Sequence, residues 1–178
     1  MNELHHQSLK ADRWQDEVYD LLRRNGVTQF CYVPDAGHQI LIDRSLADPD
    51  VHSIPLTSEE EGVALIAGAD LGGQRAVLLM QSSGVGNCIN MLSLIKGCGF
   101  PFLTLVSMRG DFGEGNPWQY PMGQATQGVL EAMGVICLRV DRPEDVTATM
   151  TAAFIMAFKS AQAVAVLLGQ RLIGAKPF

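Results

Sequence analysis

With 178 residues, a formal net charge of −6 and a sequence pI near 5.1, the chain has the size of one domain that can bury a substantial core. Its lysines and arginines are scattered singly, so no basic stripe offers a footprint to nucleic acid or to an anionic membrane. No stretch has the charge-free apolar length of a membrane span and the N-terminus carries no apolar signal core, so the expectation is a soluble cytoplasmic protein.

Residues 1–10 read as a loose tail, with His5 and His6 adjacent rather than at ligand spacing, and 11–178 as a single domain. Trp14, Val18, Leu21 and Leu22 recur at helical spacing between Asp12 and Asn25, and Gly26 supplies the stop. Val27 to Val33 reads as a strand ending in the turn Pro34-Asp35-Ala36-Gly37-His38, and Ile40 to Leu46 as a helix. Val51 to Leu56 is a second strand that Pro55 pushes towards an edge.

The stretch Thr57 to Asn87 organises the rest. A helix over 58–71 opens on Glu59, Glu60 and Glu61, with Thr57 or Ser58 as N-cap and Glu60 or Glu61 closing a capping box. Its Gly62, Ala64, Ala67, Gly68 and Ala69 suit close packing against a neighbour. A strand over 76–81 then runs into Ser82-Ser83-Gly84-Val85-Gly86-Asn87, read as a tight turn that brings backbone donors near a ligand, before a helix from Asn87 to Lys96. The nearly continuous apolar run 100–107 marks a central parallel strand. Residues 108–122 form a long loop of the kind that is usually functional. A helix 124–132, a strand 135–139, a helix 143–158 and a strand 163–168 complete the order.

Six strands alternating with helices predict a three-layer αβα fold on a parallel sheet, with ligands beyond the carboxyl ends of the strands. The loops 34–38, 82–87 and 108–122 would meet there. Cys31, Cys88, Cys98 and Cys137 are widely spaced and fit reduced thiols rather than a zinc or redox motif. The glycine stretch has neither the phosphate-loop spacing nor a third dinucleotide glycine, and Asp111-Phe112-Gly113 lacks every companion motif of a kinase. Ser83 in Ser-Ser-Gly-Val-Gly does not match a nucleophile elbow.

Three of these segments, in this order, carry a resemblance. Val33-Pro34-Asp35, the run Glu59 to Ala69 and Ser82-Ser83-Gly84-Val85-Gly86 resemble the pyrimidine-binding (PYR) domain of thiamine diphosphate enzymes. The similarity is greatest to the alpha subunits of sulfopyruvate decarboxylase and to the related phosphonopyruvate decarboxylases, and it covers essentially the whole chain. Aligning the alanines and glycines puts the family's catalytic glutamate on Glu60, with Glu59 in place of the usual histidine. The resemblance implies cofactor contacts from Pro34, Asp35, Glu60, Ser83, Gly84, Val85 and Asn87. It leaves His38, Arg109 and Gln119 as candidates to bind an acidic substrate tail, with Trp118 and Tyr120 lining or covering the pocket. The alternatives are a local pair of Arg109 with Asp111 or Glu114 and a surface position for His38 at the start of a helix.

The Gly-Asp-Gly segment and downstream Asn pair that hold magnesium and the diphosphate in this family are missing, only Gly110-Asp111 echoing them. The resemblance therefore implies a separate beta subunit that grips Mg2+ and the phosphates, no metal site in this chain, and alpha subunits paired about a two-fold axis in at least a heterotetramer. The implied reaction is decarboxylation of a 2-oxo acid, 3-sulfopyruvate first. The alternatives are phosphonopyruvate or another 2-oxo acid, carboligation, or a non-catalytic regulatory subunit that keeps the fold.

Overall fold

The computed structural model describes residues 14–175, so the expected tail over 1–10 lies outside the described residues. The described chain begins in helix α1 (14–24) and continues through β1 (Val27–Tyr32), α2 (Gln39–Ala47), β2 (His52–Pro55), α3 (Glu59–Leu71) and β3 (Arg75–Gln81). Then come α4 (Ser82–Cys88), α5 (Leu92–Cys98), β4 (Phe102–Ser107), α6 (Tyr120–Ala132), β5 (Ile136–Val140), α7 (Pro143–Ser160), β6 (Ala163–Leu168) and α8 (Gln170–Ile173). Short 3-10 turns at Ala36–His38 and Pro117–Gln119 precede α2 and α6.

All six strands are parallel, in the order β2-β1-β3-β4-β6-β5, which is the expected three-layer αβα arrangement. β4 is buried along its whole length and β3 along its middle, because helices cover both faces of a parallel sheet. One face packs α1, α2 and α7 through Trp14, Val18, Leu22, Leu41, Met150 and Phe154. The other packs α3, α4, α5 and α6 through Val63, Ile66, Val85, Leu92 and Leu130. β2 is an edge strand, as Pro55 requires. Leaving β1 the chain turns outward to β2, and it re-enters on the other side of β1 as β3. That reversal opens a crevice between the carboxyl ends of β1 and β3, the usual ligand position in such sheets.

Three expectations are corrected. Ser82-Asn87 is not a turn: α4 starts as β3 ends, and a break at 89–91 separates it from α5, so the helix expected over 87–96 is two pieces. The long loop 108–122 is shorter, since Pro at the first turn starts α6 at Tyr120 rather than at residue 124. The four-residue α8 after β6 carries too few residues to produce a helical period and was not expected.

The four cysteines are free thiols. Burial pushes the Cys31 thiol up to about 12, and burial together with the nearby Glu59 and Glu60 carboxylates does the same to Cys88.

Candidate active site

The turn after β1 places Asp35 at the crevice. Pro34 is exposed, and Asp35 sits half-buried as the cap of the following 3-10 turn. The Asp35 carboxylate accepts from the Gly37 amide at 3.0 Å, the Gln81 side-chain amide at 3.1 Å and the Ser107 hydroxyl at 2.5 Å. These bonds tie the ends of β1, β3 and β4 together through one side chain. Burial alone would raise its pKa, but Ser107, His38, Gln81 and the Gly37 amide outweigh burial and hold it below the ordinary carboxylate value. A small cavity of about 140 Å3 lies beside it, lined by Gly37, Ser107, Arg109 and 173–175.

Because the folded-state value is the lower one, Asp35 contributes its full stabilisation above about pH 4, where the unfolded carboxyl is also ionised. That contribution is lost as pH falls through the folded value. Asp35→Asn should therefore lower stability at neutral pH and flatten the acid limb of a thermal-midpoint profile below about pH 4; an unchanged limb would rule this out.

His38 is fully buried, not a surface side chain and not open to a substrate. Its Nε2 lies 3.1 Å from the Met80 carbonyl, while Nδ1 is the one buried side-chain polar atom without a hydrogen-bond partner among the described residues. Burial keeps its pKa below the usual histidine value against the opposing pull of Asp35 and the Met80 and Leu105 carbonyls.

The acidic start of α3 resolves into three different side chains. Ser58 is the N-cap by its extended backbone but makes no side-chain cap bond. Glu61 accepts from the Thr57 amide at 2.9 Å, so only the glutamate half of the expected box forms, one residue further out. Successive helical residues point about 100° apart, so adjacent glutamates cannot share a face. Glu59 is the one that turns inward, with 7% of its surface exposed, whereas Glu60 and Glu61 are exposed. The expectation that Glu60 occupies a dry pocket is corrected: that position belongs to Glu59.

The Glu59 Oε2 accepts from Asn87 Nδ2 at 2.8 Å, and its carboxylate packs against Gly84 so closely that an added Cβ there would overlap it. Oε1 makes no hydrogen bond among the described residues. Gly84 thus serves close approach, as expected, but from inside a helix instead of a turn. Val85 is buried in the core beneath, and Ser83 is exposed with its hydroxyl donating to Gln81 Oε1 at 2.8 Å. Gln81 consequently bridges Asp35 and Ser83 across the crevice.

Arg109 is not a free cation. Its Nε and Nη2 make a two-pronged pair with Glu114 at 2.6 and 2.7 Å, and both side chains are buried. Glu114 also accepts from the Asn116 amide and from Gln170 Nε2. Burial opposes its ionisation, but the Asn116 amide, Arg109 and the Gly110 amide hold its pKa below the ordinary value. Gln170 in turn accepts from the Asp111 and Phe112 amides, and the Arg109 amide donates to Ser82 Oγ at the first residue of α4. The arginine expected to grip an acidic substrate instead fastens its own loop. Gln119 is half-buried at the start of α6, and Trp118 is exposed.

The structure thus gathers Asp35, Glu59, Gly84 and Asn87 at the carboxyl ends of β1 and β3, and leaves Glu60 and His38 outside. Gln81, Ser107 and Met122 were not singled out from the sequence. A polar residue closing an apolar strand, as in Leu79-Met80-Gln81 and Val106-Ser107, was the available signal for the first two. Among the described residues no group of three acidic, histidine or cysteine side chains could hold a metal ion. No helix there is long and apolar enough to cross a membrane.

Comparison with known proteins sharpens this. The sulfopyruvate decarboxylase subunit alpha of Methanococcus maripaludis is 36% identical over 86% of this chain and 92% of that one. The chain belongs to the family of sulfopyruvate decarboxylase alpha subunits. A longer member, the sulfopyruvate decarboxylase of Methanosarcina acetivorans, is 34% identical over 68% of this chain, which spans 31% of it. The phosphonopyruvate decarboxylase of Streptomyces viridochromogenes is 36% identical over 60% of this chain and 27% of its own length. No family model matches.

In fold, the 2-oxoglutarate:ferredoxin oxidoreductase of Magnetococcus marinus superposes with a TM-score of 0.73 at 19% identity, covering 90% of this chain and 29% of that one. A Mycobacterium smegmatis protein assigned as a thiamin diphosphate-dependent enzyme gives 0.65 at 20% identity, covering 86% and 30%. The alpha-subunit chain therefore spans about a third of these larger proteins. That the family's members are named as subunits implies a partner subunit.

Proposed function

We propose that this chain is the pyrimidine-side subunit of a thiamine diphosphate-dependent 2-oxo acid decarboxylase, acting on 3-sulfopyruvate with a beta subunit that holds the diphosphate and Mg2+. The single observation that carries the reading is the Glu59 carboxylate, buried at the strand-end crevice with one oxygen fixed by Asn87 and the other unbonded. Thiamine diphosphate, when bound, supplies the carbanion and electron sink on which loss of carbon dioxide depends.

The protein's part is position and proton control. Glu59 fits the group through its unbonded Oε1, which can share a proton with a ring nitrogen held at hydrogen-bond distance. Gly84 leaves the room for that oxygen, and Asn87 prevents the side chain from rotating away. Gly84, against which the carboxylate packs, and the buried α4 residue Val85 next to it shield one side of Glu59, which favours proton exchange with the ligand over exchange with solvent. Asp35, held by Gln81 and Ser107, sets the wall of the same crevice.

Among the described residues the crevice has an anionic Asp35 and an arginine already neutralised by Glu114. Capture of the substrate's sulfonate accordingly falls to the partner subunit in this reading. Alpha subunits pairing about a two-fold belongs to the same proposal. The test is reconstitution: this chain with its beta subunit, thiamine diphosphate and magnesium should release carbon dioxide from sulfopyruvate faster than from phosphonopyruvate or pyruvate, and neither subunit should do so alone. Turnover by this chain without a partner would reject the proposal.

A further inference from the structure

Six large apolar side chains are exposed among the described residues, and three of them, Phe112, Trp118 and Tyr120, come from the segment between β4 and the first residue of α6. Trp118 is the extreme case, with 84% of its surface exposed. It borders an open groove of about 570 Å3 lined by Asn116, Pro117, Pro121 and Met122.

This exposure is built, not slack. Pro117 and Pro121 flank the indole's turn and restrict its backbone. The Trp118 amide donates to Asn116 Oδ1 at 3.0 Å, the Tyr120 hydroxyl donates to the Glu114 carbonyl at 2.8 Å, and Glu114 is itself locked by Arg109 and Gln170. A tryptophan held out in water on a preformed scaffold contributes nothing to this chain's own core. It is the side chain most often found at the energetic centre of an interface, where preorganisation removes the ordering cost.

The groove also joins the candidate site. Met122 packs against Gly86 of α4 and the next residue, Asn87, holds Glu59, so the edge of the groove and the candidate site share one helix. Charge selects which polypeptide. The start of α3 exposes Glu60 and Glu61, so a second copy laid across this groove would set acid against acid there, and the two-fold pairing of alpha subunits falls to another face. The longer Methanosarcina relative, of which this chain spans 31%, carries further polypeptide in the same molecule.

We infer that the groove around Trp118 is the docking anchor for the partner subunit that completes the active site, with the indole inserted into an apolar pocket of a partner surface whose rim is basic. The inference rests on the proposed two-subunit reading. It is tested by binding, without reference to turnover.

The chain has two tryptophans, Trp14 buried and Trp118 exposed. Labelled with 5-fluorotryptophan, it should give two 19F resonances, and only the Trp118 signal should shift and lose its H2O/D2O solvent isotope shift when the unlabelled beta subunit is added. Trp118→Ala should weaken association by about 30-fold or more, with the circular dichroism spectrum and thermal midpoint unchanged. Leu71→Ala, at an exposed apolar position at the far end of α3, should leave association as it is. Raising the salt concentration should weaken the wild-type complex.

An unshifted Trp118 resonance in a complex that does form would overturn the inference. So would Trp118→Ala breaking a complex of this chain with itself while the partner still binds. Inactivity of a complex that forms through Trp118 would count against the decarboxylase reading alone.

Discussion

Glu59→Gln is expected to reduce turnover of the reconstituted enzyme by about 10²–10⁴-fold, the usual span for removing a positioned proton-transfer group, while Glu60→Gln leaves it unchanged. The glutamine is nearly isosteric and still offers Asn87 an acceptor, so assembly and the thermal midpoint should hold and the loss should fall on kcat. The neighbouring substitution is the control that matters. It alters the same helix terminus and the same formal charge, and differs only in which way the side chain points. If both variants kept wild-type kcat, neither Glu59 nor Glu60 would be catalytic and the reading of the site would fall. If Glu60→Gln alone were inactive, the inward glutamate would have been misassigned.

Glu114→Ala is expected to be among the most destabilising single substitutions in the chain. It strips a buried guanidinium of its one charge partner among the described residues and of both hydrogen bonds to it, Arg109 having 8% of its surface exposed. Leaving one member of a buried ion pair unpaired costs about 3–5 kcal/mol, which in a domain of this size lowers the thermal midpoint by roughly 10 °C. The double variant Glu114→Ala/Arg109→Met should recover much of that loss, since replacing both charges with apolar groups removes the unpaired cation. A chemical denaturation series on the three proteins reads the outcome. A single variant within about 1 kcal/mol of wild type would mean that the pair is solvent-screened, like an ordinary surface bridge.

The architecture was readable from the chain because parallel strands covered on both faces leave long apolar runs. Phe102 to Ser107 and Ala76 to Met80 could be little else, and the proline in β2 correctly put it at an edge. What the sequence hid was direction. Three identical glutamates in a row carry no mark of which one faces inward. The answer depends on where the N-cap falls, since Ser58 in place of Thr57 rotates every following side chain by one helical step. For Arg109 the sequence left two readings, a substrate grip or a local pair with Asp111 or Glu114. It could not choose between them because Glu114 lies five residues on across an irregular turn where no period predicts contact; the structure shows the pair with Glu114. The glycines of 82–87 suggested a turn because glycine disfavours helices, yet here Gly84 is needed to admit Glu59 and the helix tolerates it.

The clamp of Gln170 on the Asp111 and Phe112 amides has a consequence for biosynthesis. The segment bearing the aromatic groove emerges from the ribosome some sixty residues before the glutamine that secures it, 58 and 59 positions on. Until β6 has been laid beside β4 and the chain has turned into α8, that segment has only its local bonds, such as those of Arg109 and Tyr120 to Glu114, and lacks the clamp that fixes it to the sheet. A half-made chain thus displays no finished surface to recruit a second polypeptide, and subunit pairing is ordered in time behind completion of the sheet.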